Sequence, residues 1–140
     1  MGGRLRAAQG QGGGVTRQVL LIEDEPHIAE AIRFLLGRDG WAVTVLADGI
    51  EGLAAVRDRL PDLVILDLML PGLSGLEILK ALRGDPATAA TPVMMLTAKG
   101  QGRDREAAER AGANLFMAKP FSNAEIVAAA RGLVPPVASP

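Results

Sequence analysis

Four short apolar runs each end on a polar side chain of a kind that phosphoryl chemistry uses. Val19-Leu20-Leu21-Ile22 leads into Glu23-Asp24, Leu63-Val64-Ile65-Leu66 into Asp67, Val93-Met94-Met95-Leu96 into Thr97, and Leu115-Phe116-Met117-Ala118 into Lys119-Pro120. A carboxylate can accept a phosphoryl group as an acyl phosphate. Clustered carboxylates are hard oxygen ligands that suit Mg²⁺, while a hydroxyl and an ammonium can hold phosphoryl oxygens. If the runs are parallel strands of one α/β sheet, their C-terminal ends share an edge, and that edge is where such sheets bind ligands. Three carboxylates, a hydroxyl and an ammonium then meet in one crevice.

Each of these residues also has a plainer reading. A lone Asp after a strand is commonly a turn former or a helix cap. After Asp67, however, Pro71-Gly72 supplies the turn and Ser74 the cap, which leaves Asp67 for chemistry. Acidic residues suit a helix N-terminus, and that accounts for Glu25. Three acids in a row, Glu23-Asp24-Glu25, are more than a cap requires. Lys119 ends an apolar run just before a proline that fixes the loop, which is unlike a surface lysine. His27, the single histidine, follows Pro26 at a helix start and reads as a solvated side chain. One histidine without cysteine argues against a metal centre built on that histidine.

The segments between the runs must be the elements that position them. The runs are continuous rather than alternating, as expected of parallel strands covered on both faces. A fifth run, Trp41 to Leu46, includes Thr44 and is expected at a sheet edge. Ile28, Ile32, Leu35 and Leu36 form the stripe of one buried helix face, and Ile126, Ala129, Ala130 and Leu133 repeat that period. Asp48-x-x-Glu51, Ser74-x-x-Glu77 and Ser122-x-x-Glu125 have the spacing of capping boxes. Five strand–helix alternations predict an α/β fold, a doubly wound parallel sheet with helices on both faces.

Composition narrows the function classes. The chain has 140 residues, enough to bury a core, and 49% of them are hydrophobic. Aromatics are 3%, so aliphatic side chains must fill that core. Without cysteine there is no disulfide framework. No apolar stretch reaches the length of a membrane span, and the start lacks a secretory apolar segment, so a cytoplasmic protein without membrane insertion is expected. Residues 19–131 carry 12 basic and 16 acidic residues. With no basic stripe, nucleic acid is not an expected partner. The glycine-rich residues 1–17 and the proline-rich residues 134–140 are expected to be flexible tails around one domain, 18–133.

From Gln18 to Arg131 the order and spacing of these residues resemble the receiver domain of two-component response regulators, in particular chemotaxis-regulator-like single-domain receivers. The resemblance implies a flavodoxin-like five-stranded parallel sheet of order 2-1-3-4-5. It makes Asp67 the phosphoacceptor. Asp24 and Asp67 bind Mg²⁺ (or Mn²⁺) directly, the backbone carbonyl of Met69 adds a ligand, and Glu23 acts through water, where the family often has Asp. Lys119 pairs with the phosphoryl oxygens, with a cis Lys119–Pro120 bond as one way to place it. Thr97 donates its hydroxyl to the same oxygens, and Phe116 holds the switch-aromatic position. The implied partners are a sensor histidine kinase or histidine phosphotransfer protein and a downstream protein that docks on the fourth helix, fifth strand and fifth helix.

The expected function is that of a stand-alone receiver whose output is phosphorylation-dependent protein binding. It is not an enzyme beyond its own phosphorylation and slow self-dephosphorylation. The resemblance places Met69 and Lys99 beside the path of the attacking water, and neither side chain can orient it, which favours a long-lived phosphorylated state. Two alternatives differ in class. A pseudoreceiver would bind without phosphorylation, and Asp67, Thr97 and Lys119 speak against it. A haloacid-dehalogenase-type phosphatase wants a second Asp two residues after the nucleophile, where Met69 stands.

Overall fold

In the computed structural model, which describes residues 16–98 and 102–136, strands and helices alternate throughout. They are β1 (Gln18–Ile22), α1 (Pro26–Arg38), β2 (Ala42–Leu46), α2 (Gly49–Arg59), β3 (Leu63–Asp67), α3 (Gly75–Arg83), β4 (Val93–Thr97), α4 (Gly102–Arg110), β5 (Leu115–Ala118) and α5 (Asn123–Leu133). Every strand pair is parallel, in the order β2-β1-β3-β4-β5. The expected topology is therefore the observed one. Ile22 lies opposite Leu66, Asp67 opposite Leu96, and Thr97 opposite Ala118. The polar residues that end the strands are thus delivered to a single edge. The winding direction reverses between β1 and β3, and such a switch point opens a crevice at the C-terminal ends of the strands.

The absence of alternation in the strands has the anticipated physical cause. Val19, Leu21, Leu63, Ile65, Met94 and Leu96 face a core closed by α1 and α5 through Ile32, Leu36, Ile126 and Ala130. Leu20, Ile22, Val64, Leu66, Val93 and Met95 face a second core, closed by α2, α3 and α4 through Val56, Ile78, Leu79, Leu82 and Ala108. Each buried Leu, Ile or Val stabilises the fold by roughly 1.5–3 kcal/mol relative to exposure. The edge strands have less cover: all of β2, Thr44 included, is only partly buried, as are Leu115, Phe116 and Met117 in β5.

The helix starts fix the loops that carry the site. Ser74 and Ser122 each form a complete capping box, with Glu77 and Glu125 respectively. The Asp48 carboxylate accepts from the N–H groups of Ile50 and Glu51. Helix α1 differs. Pro26 opens it, and Glu25 sits at its N-cap without a side-chain capping bond, which leaves that carboxylate for other partners. Among the described residues no helix is long and apolar enough to cross a membrane.

Contacts reach one residue beyond each end of 18–133. Arg17 is buried, stacks 4.3 Å from the centroid of the Trp41 ring, and donates to the carbonyls of Val134 and Asp39. Arg131 adds charge-assisted hydrogen bonds to the Asp39 carboxylate and holds it below its ordinary pKa. The Arg17 guanidinium thus covers Trp41 and bonds two carbonyls, one of them that of Val134. The remaining residues of the N-terminal tail up to 15, and 137–140, lie outside the described residues, as does Lys99.

Arg83 is a second long-range tie. From the end of α3 it donates to the carbonyls of Gly112, Thr88 and Thr91 and to Asn114 Oδ1, which also accepts from the Val93 N–H. Burial lowers its pKa from the ordinary arginine value. Arg83→Met keeps the stem and removes the fork, stranding several acceptors at once. Chemical denaturation of this variant should show a loss of about 2–3 kcal/mol; a loss under about 0.5 kcal/mol would mean that water replaces the fork.

Candidate functional site

The sheet edge brings Asp67, Glu23, Thr97 and Lys119 to the crevice, and Glu25 joins them. Asp67 ends β3 and is buried. Its Oδ1 accepts from the Met69 N–H at 3.2 Å, and its Oδ2 lies 3.3 Å from Lys119 Nζ. Lys119 arrives from β5, its N–H donating to the Thr97 carbonyl at 2.7 Å, and the Lys119–Pro120 bond is cis. Its ammonium meets three carboxylates: Glu23 Oε1 at 3.0 Å, Glu25 Oε1 at 3.2 Å and Asp67 Oδ2 at 3.3 Å. It donates to Glu25 and Asp67. The shortest of these contacts is with Glu23 Oε1, a buried oxygen whose charge the ammonium balances. Thr97 is buried, and Phe116 is half-buried against the second core with the Arg105 guanidinium 5.0 Å from its ring centroid. Met69 is exposed and so is His27.

The chain leaving β1 is extended, so alternate residues share a side. Glu23 and Glu25 both turn toward Lys119, and the Glu25 N–H donates to Glu23 Oε2 at 3.1 Å. Asp24, between them, is exposed. Among the described residues the carboxylates whose oxygens lie within 4.8 Å of one another are Glu23, Glu25 and Asp67. Asp24, expected as a direct metal ligand, is therefore adjacent to this set rather than within it. In the sequence the helix dipole suffices to explain Glu25, and period-two spacing past the strand end is the signal that points to it. The donors are carboxylate and carbonyl oxygens, with neither sulfur nor imidazole among them. That set of clustered oxygen donors fits a hard divalent cation such as Mg²⁺ or Mn²⁺.

Burial in this acidic setting perturbs protonation. Desolvation pushes Glu23 up to about 7, helped by the Asp67 charge and opposed by the Glu25 N–H and by Lys119. Burial alone would lower Lys119, but its contacts with Glu23, Asp67 and Glu25 outweigh that and raise it. A carboxyl whose folded pKa exceeds its unfolded value contributes stability that is full below the unfolded pKa, near 4.5, and is lost as pH rises through about 7. Glu23→Gln, measured without metal, removes this titration. The stability of wild type relative to this variant should fall by about 2–3 kcal/mol between pH 4.5 and 8. A difference independent of pH would mean that Glu23 stays ionised throughout.

Residues 19–131 match the response regulator receiver domain family. The chain belongs to that family. The receiver is 42% identical over 116 residues to the probable transcriptional regulatory protein TcrX of Mycobacterium tuberculosis, covering 83% of this chain and 49% of that protein. It therefore spans about half the length of the curated relatives it matches. Among solved structures, a putative response regulator from Chloroflexus aurantiacus superposes with a TM-score of 0.80 at 35% identity, over 84% of this chain and 97% of that one. The receiver domain of the sensor histidine kinase PA1611 from Pseudomonas aeruginosa, solved with a magnesium ion coordinated in its active-site cleft, gives 0.78 at 31% identity, over 85% and 98%.

Proposed function

We propose that this receiver unit, residues 18–133, takes a phosphoryl group onto Asp67 from the phosphohistidine of a sensor histidine kinase or histidine phosphotransfer protein. The observation that carries the reading is the meeting of the Lys119 ammonium with the buried carboxylates of Asp67 and Glu23 at the C-terminal edge of the sheet. An Asp67 oxygen attacks phosphorus as the N–P bond breaks, and the histidine leaves with the electron pair and takes up a proton. The Met69 N–H holds the other Asp67 oxygen, so the attacking one is oriented. Lys119 then pairs with the phosphoryl oxygens, and the Thr97 hydroxyl donates to them. Asp24, Asp67 and the Met69 carbonyl would hold Mg²⁺ or Mn²⁺, with Glu23 acting through water. A bound cation would neutralise charge between the carboxylates and the phosphoryl oxygens. The magnesium ion of the PA1611 receiver supports this assignment by likeness.

The output is phosphorylation-dependent binding of a protein partner, in the cytoplasm, on the surface of α4, β5 and α5. Thr97 moves toward the phosphoryl group, and Phe116, already half-buried behind β4, follows into the vacated space. The excess of acidic residues over 19–131 argues against direct contact of this unit with nucleic acid. Amide shifts recorded with Mg²⁺, with and without beryllofluoride, test the reading. Changes should spread over residues 97–121. Changes confined to the residues around Asp67 would remove the switch, and no change at all would leave a pseudoreceiver.

A further inference from the structure

We propose that Glu25 is a positioning residue that restrains the Lys119 ammonium in the unphosphorylated state and thereby limits how readily Asp67 takes up phosphate. The inference rests on the phosphoryl chemistry proposed for Asp67. Three carboxylates share the ammonium, and they are not equally free to release it. Glu23 is buried, and one of its oxygens is tied back by the Glu25 N–H. Asp67 is buried and held by the Met69 N–H. The Glu25 side chain is 59% exposed and makes no bond to the helix it precedes. Its described polar contact is with Lys119.

The surroundings give Glu25 somewhere to go. It lines, with Lys119, Ile28, Leu35, Pro120 and Phe121, a cavity of about 440 Å³ between α1 and the β5–α5 turn. A phosphoryl group on Asp67 offers Lys119 more concentrated negative charge than a carboxylate does. Glu25 can then release the lysine and be hydrated at little cost. Before that point its charge both competes for the ammonium and repels an incoming anion. Both effects oppose phosphoryl uptake. A role as metal ligand would act in the opposite direction, because removing it would weaken the metal and the phosphoryl analogue together.

The test uses the full chain as wild type, Glu25→Gln and Glu25→Asp, each at its own saturating Mg²⁺ concentration. Beryllofluoride affinity, the rate of phosphoryl transfer from acetyl phosphate to Asp67 with release of acetate, and the ¹⁵N shift of Lys119 Nζ are measured. Glu25→Gln should tighten beryllofluoride roughly two- to fivefold, the size of one half-exposed charge contact. It should speed labelling by a similar factor and move the Nζ resonance, with Mg²⁺ affinity changed less than twofold. Glu25→Asp, which shortens the side chain but keeps the charge, should change beryllofluoride affinity and labelling rate in the same direction by less. Unchanged beryllofluoride affinity beside normal wild-type binding overturns the inference alone, and weaker Mg²⁺ with weaker beryllofluoride makes Glu25 a ligand instead. Failure of the wild type to bind beryllofluoride overturns the proposed function and this inference with it.

Discussion

Asp67→Asn is expected to reduce labelling by acetyl phosphate in the presence of Mg²⁺ to background. Asn keeps the shape of the side chain, so the hydrogen bond from the Met69 N–H survives and the end of β3 stays in place. What is lost is the charge and nucleophilicity of the oxygen 3.3 Å from Lys119 Nζ. Glu23, the other buried acid of the site, is no ready substitute, since it is tied through its own backbone turn. The melting temperature should hold or rise, because removing the Asp67 charge relieves its repulsion of Glu23. Loss of labelling together with loss of fold would make Asp67 a structural residue, and labelling retained elsewhere would move the acceptor.

Gly75→Ala is expected to destabilise the protein by about 2–4 kcal/mol. Gly75 opens α3, and its N–H donates to the Leu68 carbonyl at 3.0 Å, so the helix start rests directly on the exit of β3. A Cβ there would fall on the Asp67 carbonyl oxygen and 2.8 Å from Leu68 Cα. Both are backbone atoms, with no flexible side chain to yield. The strain passes to the segment that orients Asp67, so phosphoryl uptake should drop along with stability. Gly37→Ala is the control: it lies on exposed α1 with nothing near its added methyl, and it should stabilise by about 0.5–1 kcal/mol. Equal stability of the two variants in denaturant would show that the α3 start can shift freely.

The sheet was legible because its determinants are local. A run such as Leu63-Val64-Ile65-Leu66 needs cover on both faces whatever surrounds it, and the polar residue that ends it marks the edge. Ser74 and Ser122 announce their helices three residues ahead of Glu77 and Glu125 for the same reason. Glu25 was not legible, because the helix dipole already explained it and Lys119, 94 residues away, supplies its real partner. Asp24 is exposed and Glu25 faces Lys119 because the extended chain, and not helix geometry, governs the turn after β1. Arg17 and Arg83 escaped for a similar reason. Each bonds carbonyls brought together only by the finished fold, and a backbone carbonyl leaves no mark in a sequence.

The most direct test of the central claim is chemical mapping of the acceptor. The full chain is incubated with acetyl phosphate with or without Mg²⁺, reduced with borohydride, digested and examined by mass spectrometry. Borohydride converts an aspartyl phosphate to homoserine. The account predicts homoserine at position 67 in the Mg²⁺ sample and none when the metal is chelated. Homoserine or phosphate at another residue, or an unmodified Asp67 under conditions where the protein is folded and metal-saturated, would contradict it.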